Sequence, residues 1–385
     1  MRLARCGQAI SRRLTRALHG GKELSESRLR QFLRAEVTHF ASFRTGNLTL
    51  SFLLKETCTP HEAAHCVHHQ LSERFARRIV QIEDLEGWEN DPDLRQVHER
   101  YFESFQEMRM AEVGEDLGEF TKMVRRLKER QKPVLQELGK ACHRMRQQGG
   151  KYDQAFWNTW LEIFLRSRIS TEMLTSQYIA VVNQTAKGST EVTGIVDPLC
   201  DPAMICEGAV AAARLLCQNN MGILPNVEVE SRSKVSLSFS YIPIYLYYII
   251  LEVLKNSCAA TAKRRMSSLT PCDGEPIHVV VCADDVRVAV RVRDLAGGIP
   301  YEVGDRVWDF LYSGSQDVKA DAYAGSTPLQ GFGIGLPLAR LYAKYLGGSL
   351  SLISLPGYGV DTFLSLPRIE SCRGVLKRDE TRDFR

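Results

Sequence analysis

GFGIGLPLARLYAKYLGG, residues 331–348, sets glycines at 331, 333 and 335 and then runs without glycine or proline from Ala339 to the Gly347-Gly348 pair. Three glycines on alternate positions just before a helix suit a bound phosphate. Glycine lets backbone N–H groups approach a ligand closely, and the first helical turn carries unpaired donors and positive dipole charge. The spacing is Gly-x-Gly-x-Gly, however. A dinucleotide fold needs Gly-x-Gly-x-x-Gly after its first strand and an acidic residue about twenty residues on, and a Walker loop needs Gly-Lys-Ser/Thr. Neither stands here. Alone, the stretch reads as a glycine turn capping a helix, so its meaning is set by the rest of the chain.

With 385 residues, 44% of them hydrophobic and 25% charged, the chain has the composition of a globular protein with room for about two domains. Its most apolar stretch, YIPIYLYYIILEVL, is broken by Pro243 and Glu252 and falls short of the roughly 18 uninterrupted apolar residues of a membrane span. No transmembrane helix is expected. The 11 cysteines include no Cys-x-x-Cys pair, which argues against a zinc knuckle or a disulfide framework and for buried thiols in a reducing compartment. The N-terminus, MRLARCGQAISRRLTRALHGGK, holds Arg2, Arg5, Arg12, Arg13, Arg16 and Lys22 with no acid before Glu23, and Leu3, Ile10, Leu14 and Leu18 recur among them at helical spacing. That is the composition of a mitochondrial transit peptide over 1–22. Without those charges the formal +4 becomes a slight acidic excess, so no nucleic-acid partner is expected.

From 23 to 190 the chain reads as a helical domain. Apolar residues recur at i, i+3 and i+4 over 36–56, 60–85, 93–110, 121–148 and 152–185, and four or five long helices with short links imply a bundle. HEAAH at His61–His65 matches the helical His-Glu-x-x-His zinc pattern. Pro60 puts the match in the first helical turn, His68 and His69 extend it into a merely histidine-rich helix, and no metzincin extension follows. The pentapeptide therefore reads as a solvated helix start with Glu62 near the positive dipole end.

After about 190 the texture changes to alternation. EPIHVVVCADDVRVAVRVRD, 275–294, predicts a hairpin turning at Asp284-Asp285, with Val286, Val288, Val290 and Val292 on one face and Arg287, Arg291 and Arg293 on the other. By parity Asp294 falls on the apolar face, where a carboxylate is costly unless it is hydrogen-bonded. A second polar pair lies in YIPIYLYYIILEVLKNSCAATAKRR, 241–265. Glu252 and Asn256 are one turn apart, on a stripe with Ile249 and Ala260. Polar groups placed there need a ligand, a metal or a partner.

In chain order, EVLKNS (252–257), DLAGGIP (294–300), GFGIGLP (331–337) and GYGVDTF (357–363) resemble the four nucleotide-binding boxes of the GHKL superfamily. The flanking FLRSRISTEMLTSQ, DPLCDP, RLLCQNN and FSYIPIYLYYIILEVLKNS resemble the mitochondrial 2-oxoacid dehydrogenase kinases, pyruvate and branched-chain, over most of residues 30 to 370. The resemblance implies an α+β protein: a helical (four-helix) bundle over 23–190, a GHKL-type (Bergerat) α/β sandwich with a mixed sheet over 191–370, and a tail over 371–385. It implies a serine kinase of the E1 component of a mitochondrial matrix complex, using ATP and Mg²⁺, docked on a lipoyl-bearing E2 core and forming a homodimer. Glu252 would be the general base, Asn256 the Mg²⁺ ligand, and Asp294 the acceptor of the adenine amino group. Gly298 would sit near the nucleotide. Gly331, Phe332, Gly333, Ile334, Gly335 and Leu336 would lie near the phosphates, the glycines acting as the hinge of a mobile lid over 313–335.

The chain departs from the family pattern at Ala296, Val360, Ala259 and Tyr178, which stand where a glycine, a threonine, an arginine and often a histidine are usual. Thr362 shares strand parity with Val360 and is the local substitute expected at the nucleotide. Two other readings stay open: a nucleotide-binding scaffold without catalysis, and a histidine-kinase-like phosphotransferase, for which His61-Glu62 is the nearest histidine-acid pair. Pyruvate and branched-chain substrates are not separated.

Overall fold

The computed structural model describes residues 26–43, 46, 48–147, 151–189, 192–267, 275–312 and 332–368. Residues 1–22, Gly331 and most of the expected lid lie outside the described residues. Two compact units result. One takes in residues up to 47, 56–141 and 167–192, and the other takes in 48–55, 142–166 and 193 onward.

The helical elements are α1 (Glu26–Ala41), α2 (Leu50–Glu56), α3 (Pro60–Glu83), α4 (Pro92–Met110), α5 (Gly118–Gln131), α6 (Val134–Gln147) and α7 (Gln154–Ala186). Two of the helical windows divide. The window over 36–56 is broken between Ala41 and Leu50, and that over 121–148 breaks at Pro133, whose missing N–H interrupts the helical hydrogen bonds although Lys132 keeps helical backbone. In the first unit Leu71, Phe75, Tyr101, Phe105 and Leu127 are fully buried. Tyr178 joins them, its hydroxyl 2.6 Å from Thr121 Oγ1. The HEAAH stretch opens α3 as a capping box: Thr59 Oγ1 accepts the Glu62 N–H at 3.3 Å and the Glu62 carboxylate accepts the Thr59 N–H at 3.1 Å. Among the described residues no group of three or more histidine, cysteine or acidic side chains could hold a metal.

The second unit carries a mixed sheet. Its strands are β2 (Val227–Ser231), β4 (Ile277–Ala283), β5 (Arg287–Asp294), β6 (Ser349–Leu355) and β7 (Gly359–Pro367), in the order β2-β4-β5-β7-β6. Only β2 and β4 are parallel. A separate ribbon pairs β1 (Asp197–Cys200) with β3 (Phe239–Tyr241). The β4–β5 hairpin closes as expected, with Asp284 Oδ1 accepting the N–H groups of Val286 and Arg287 at 2.8 and 2.7 Å. Val286 stands outside β5 and is exposed, because the turn consumes it. Val288, Val290 and Val292 alternate inward with Val279, Val281, Leu364 and Leu366. The helices α8 (Pro202–Met221), α9 (Pro243–Ser267) and α10 (Gly335–Tyr345) complete the unit, α8 contacting α9, β2 and β4, and α10 contacting α9, β6 and β7. An α+β protein with a helical N-terminal region and a mixed sheet is what the sequence predicts. No described helix is long and apolar enough to cross a membrane. Cys142, Cys200, Cys206, Cys217 and Cys258 are buried, whereas Cys58 and Cys282 are exposed, a correction to the expectation of burial throughout.

Candidate functional site

Helix α9 is the hub of the site. Pro243 supplies its first turn, where a missing N–H costs nothing. About two turns of tyrosine, leucine and isoleucine then anchor it in the core, with Leu246, Ile249 and Ile250 buried. The polar residues Glu252, Lys255, Asn256 and Ser257 follow. The Glu252 side chain is 13% exposed, and Lys255, one turn on at 10%, donates from Nζ to both carboxylate oxygens at 3.0 and 3.2 Å. This pairing answers the cost of burying the carboxylate. Sequence reading missed Lys255, although its i+3 spacing from Glu252 puts the two on one face.

Glu252 also meets the opening glycine turn. A Cβ on Gly335 would meet Glu252 Oε2, so a larger residue at the first position of α10 would push the carboxylate from its place. Helix α10 starts without a side-chain cap, Ile334 being its N-cap residue, and its first-turn donors remain for an anion. Ile334 is buried, while Phe332 and Leu336 are partly exposed beside it. Gly333 takes φ +72°, and a Cβ there would strike the backbone of Tyr312. Both the dihedral and the close approach require glycine.

Asn256 lies on the exposed side of α9. Its Nδ2 donates to the Glu252 carbonyl at 2.9 Å, which leaves Oδ1 as an acceptor. An amide oxygen of this kind fits the hard-cation ligand expected of it. Ser257, a second residue missed by the sequence reading, donates from Oγ to Asp294 Oδ2 at 2.8 Å, and the Ala296 N–H binds Oδ1 at 3.1 Å. Asp294 ends β5 opposite Val360, inside the apolar layer as its parity predicts. Burial pushes its carboxyl above the ordinary range, a rise only partly offset by the Ser257 hydroxyl and the backbone donors. These three donors, the Ser257 hydroxyl and the backbone N–H groups of Ala296 and Val360, do not exhaust a carboxylate's roughly four lone-pair sites, so it can accept a fourth.

The surrounding glycines allow close backbone contacts. Gly359 carries Asp294 against it with no room for a Cβ, and Gly298, at φ +72°, abuts the backbone of Leu355. Thr362 is buried two pairs along from Val360, opposite Val292. Beside Ala296 and Gly297 opens a cleft of about 600 Å³ lined by Ala260, Lys263, Arg264 and Gly357. Helix α9 thus joins Glu252 to the α10 turn and, through Ser257, to Asp294. Gly331 lies outside the described residues.

Comparison with known proteins agrees with this arrangement. A family model described as "Mitochondrial branched-chain alpha-ketoacid dehydrogenase kinase" matches residues 43–197, and one described as "Histidine kinase-, DNA gyrase B-, and HSP90-like ATPase" matches 242–370. The chain is 28% identical over 352 residues to the mitochondrial [pyruvate dehydrogenase (acetyl-transferring)] kinase of Arabidopsis thaliana, covering 87% of this chain and 93% of that protein. It is 28% identical over 347 residues to the Ascaris suum kinase of the same name, covering 87% and 86%. With Homo sapiens isozyme 4 the identity is 32% over 218 residues, 55% and 52% of the two chains. The helical match precedes the ATPase match, and the latter contains α9, the end of β5 and the α10 turn. The chain therefore belongs to the mitochondrial 2-oxoacid dehydrogenase kinase family of the GHKL superfamily.

Proposed function

We propose that this chain is an ATP-dependent protein serine kinase that phosphorylates, and thereby inactivates, the E1 component of a mitochondrial 2-oxoacid dehydrogenase complex. The observation that carries the reading is the junction at α9: a carboxylate held by a lysine against an uncapped helix start, an amide oxygen one turn on, and a buried carboxylate bonded to the next residue. ATP would be held with its adenine amino group on Asp294, near Gly298 and Thr362, and its phosphates at 331–336. Asn256 Oδ1 would contribute to holding Mg²⁺, which when bound supplies neutralisation of phosphate charge. Glu252 takes the proton of the attacking serine hydroxyl as general base, and positioning with charge neutralisation does the rest. The names of the relatives support a pyruvate-type substrate, while the helical family model supports a branched-chain one.

The same reading assigns residues 1–22 to a matrix-targeting segment, 23–190 to a domain that docks on the lipoyl-bearing E2 core, 191–370 to the kinase domain, and a homodimer to the assembled enzyme. The test incubates the purified chain with labelled ATP and each E1 in turn. Label on the serine of one E1 is expected. ATP binding with no transfer to either E1 would replace the kinase by a nucleotide-binding scaffold.

A further inference from the structure

The segment leading to residue 312 is tied to the turn at Gly333 by backbone and side-chain bonds that no glycine motif requires. Leu311 is buried and takes φ +64°, the only positive φ of a non-glycine residue among those described. Such backbone is unfavourable for a branched side chain and persists only where neighbours over-determine it. Three side chains do so. Asn158 Oδ1 accepts the Phe310 N–H at 2.9 Å while its Nδ2 donates to Asp309 Oδ1 at 2.7 Å. Gln154 Nε2 donates to the Phe310 carbonyl at 2.9 Å, and an Arg146 guanidinium N–H donates to the Leu311 carbonyl at 2.9 Å. The Leu311 N–H in turn donates to the Gly333 carbonyl at 3.0 Å, and the Tyr312 backbone occupies the space a Gly333 Cβ would need. Two residues on, Gly335 abuts Glu252. All of these residues belong to the sheet-bearing unit.

We propose that Asn158, Gln154 and Arg146 are positioning residues for the nucleotide site: they hold 309–312 in a strained course whose last bonds fix the Gly333 turn against which the phosphates lie. The proposal rests on the reading of 332–336 as phosphate-facing. It differs from that reading in placing part of the site's affinity on side chains more than 150 residues upstream, which bond to 309–311. Strain at Leu311 makes the turn dependent on them, because without these four hydrogen bonds the segment relaxes toward ordinary backbone and carries the Gly333 carbonyl with it.

The test is a change of hydrogen-bond polarity. Asn158→Asp sets a carboxylate against that of Asp309 and loses a charge-assisted bond, so the dissociation constant for Mg-ATP should rise at least about tenfold. The double variant Asn158→Asp/Asp309→Asn restores an amide-to-carboxylate bond with donor and acceptor exchanged, and should return affinity to within about threefold of wild type. A merely structural role would lower the melting temperature without this rescue of affinity. Should Asn158→Asp lose its fold by circular dichroism, Arg146→Gln carries the test, with the same loss of affinity expected at an unchanged spectrum. Unchanged nucleotide affinity in whichever of these variants folds, or a folded double variant as weak as Asn158→Asp, overturns the positioning role while leaving the nucleotide site standing. A wild-type chain that binds no nucleotide overturns both.

Discussion

Asp294 shows the conflict between stability and function at a single residue. Its carboxyl is buried and its pKa raised from an ordinary value of 3.8, so the folded state holds the proton more tightly than the unfolded chain. Stability from this group is therefore complete below pH 3.8 and is lost as pH rises through the folded value. Asp294→Asn removes the penalty. The variant should melt higher than wild type at neutral pH, with the gap closing as pH falls toward the ordinary carboxylate value, while its affinity for ATP drops about tenfold or more with or without Mg²⁺. Melting curves over a pH series beside calorimetric titration measure both, and a variant that melts lower at neutral pH contradicts the account. Among the thiols, burial pushes Cys200, Cys206 and Cys258 up to about 12, and Cys58 and Cys282 are exposed. Mass spectrometry after brief alkylation of the folded chain should find label at the exposed pair and none at the buried three, since the thiolate is the reactive form. Equal labelling of all five would mean that this core opens readily.

Among the elements, the two helix starts differ in what satisfies their donors. The capping box closes α3 with its own side chains, so Thr59→Ala should cost about 1 kcal/mol in denaturant unfolding and leave nucleotide binding unchanged. The start of α10 has no such cap; it holds Gly333 in a backbone contact that admits no Cβ and sets Gly335 against the Glu252 carboxylate. Gly333→Val should weaken nucleotide binding strongly, because a β-branched residue neither adopts φ +72° nor fits against Tyr312. Equal binding by this variant in a filter assay would remove the turn from the site. These elements were unequally legible. The hairpin and the inward parity of Asp294 followed from alternation of period two, and α9 from its apolar run. Pro133 signals the division of the 121–148 window, but the apolar recurrence continues across it and masks the break. Lys255 and Ser257 went unread because neither departs from an ordinary helix until Glu252 and Asp294 are placed in space.

For the whole molecule, the order of motifs carried the fold: a helical region, then an asparagine helix, an aspartate at a strand end, a glycine turn and a second glycine pair, each weak alone. The partnership of Gly335 with Glu252 and the upstream bonds to 309–311 were not legible, because they depend on distances between segments that no local pattern encodes. A fluorescent fusion carrying residues 1–22 should enter mitochondria if the basic amphipathic pattern directs import, and a cytosolic fusion would contradict that assignment. The central claim is that α9 presents a base to a bound nucleotide, and Glu252→Gln tests it most directly because the change keeps size and an oxygen acceptor for Lys255 while removing the ability to take a proton. Calorimetric Mg-ATP binding should stay near wild type while the rate of phosphate transfer to the serine of E1 falls by about 10² to 10⁴. Wild-type transfer by a variant that binds ATP normally would contradict the role of Glu252.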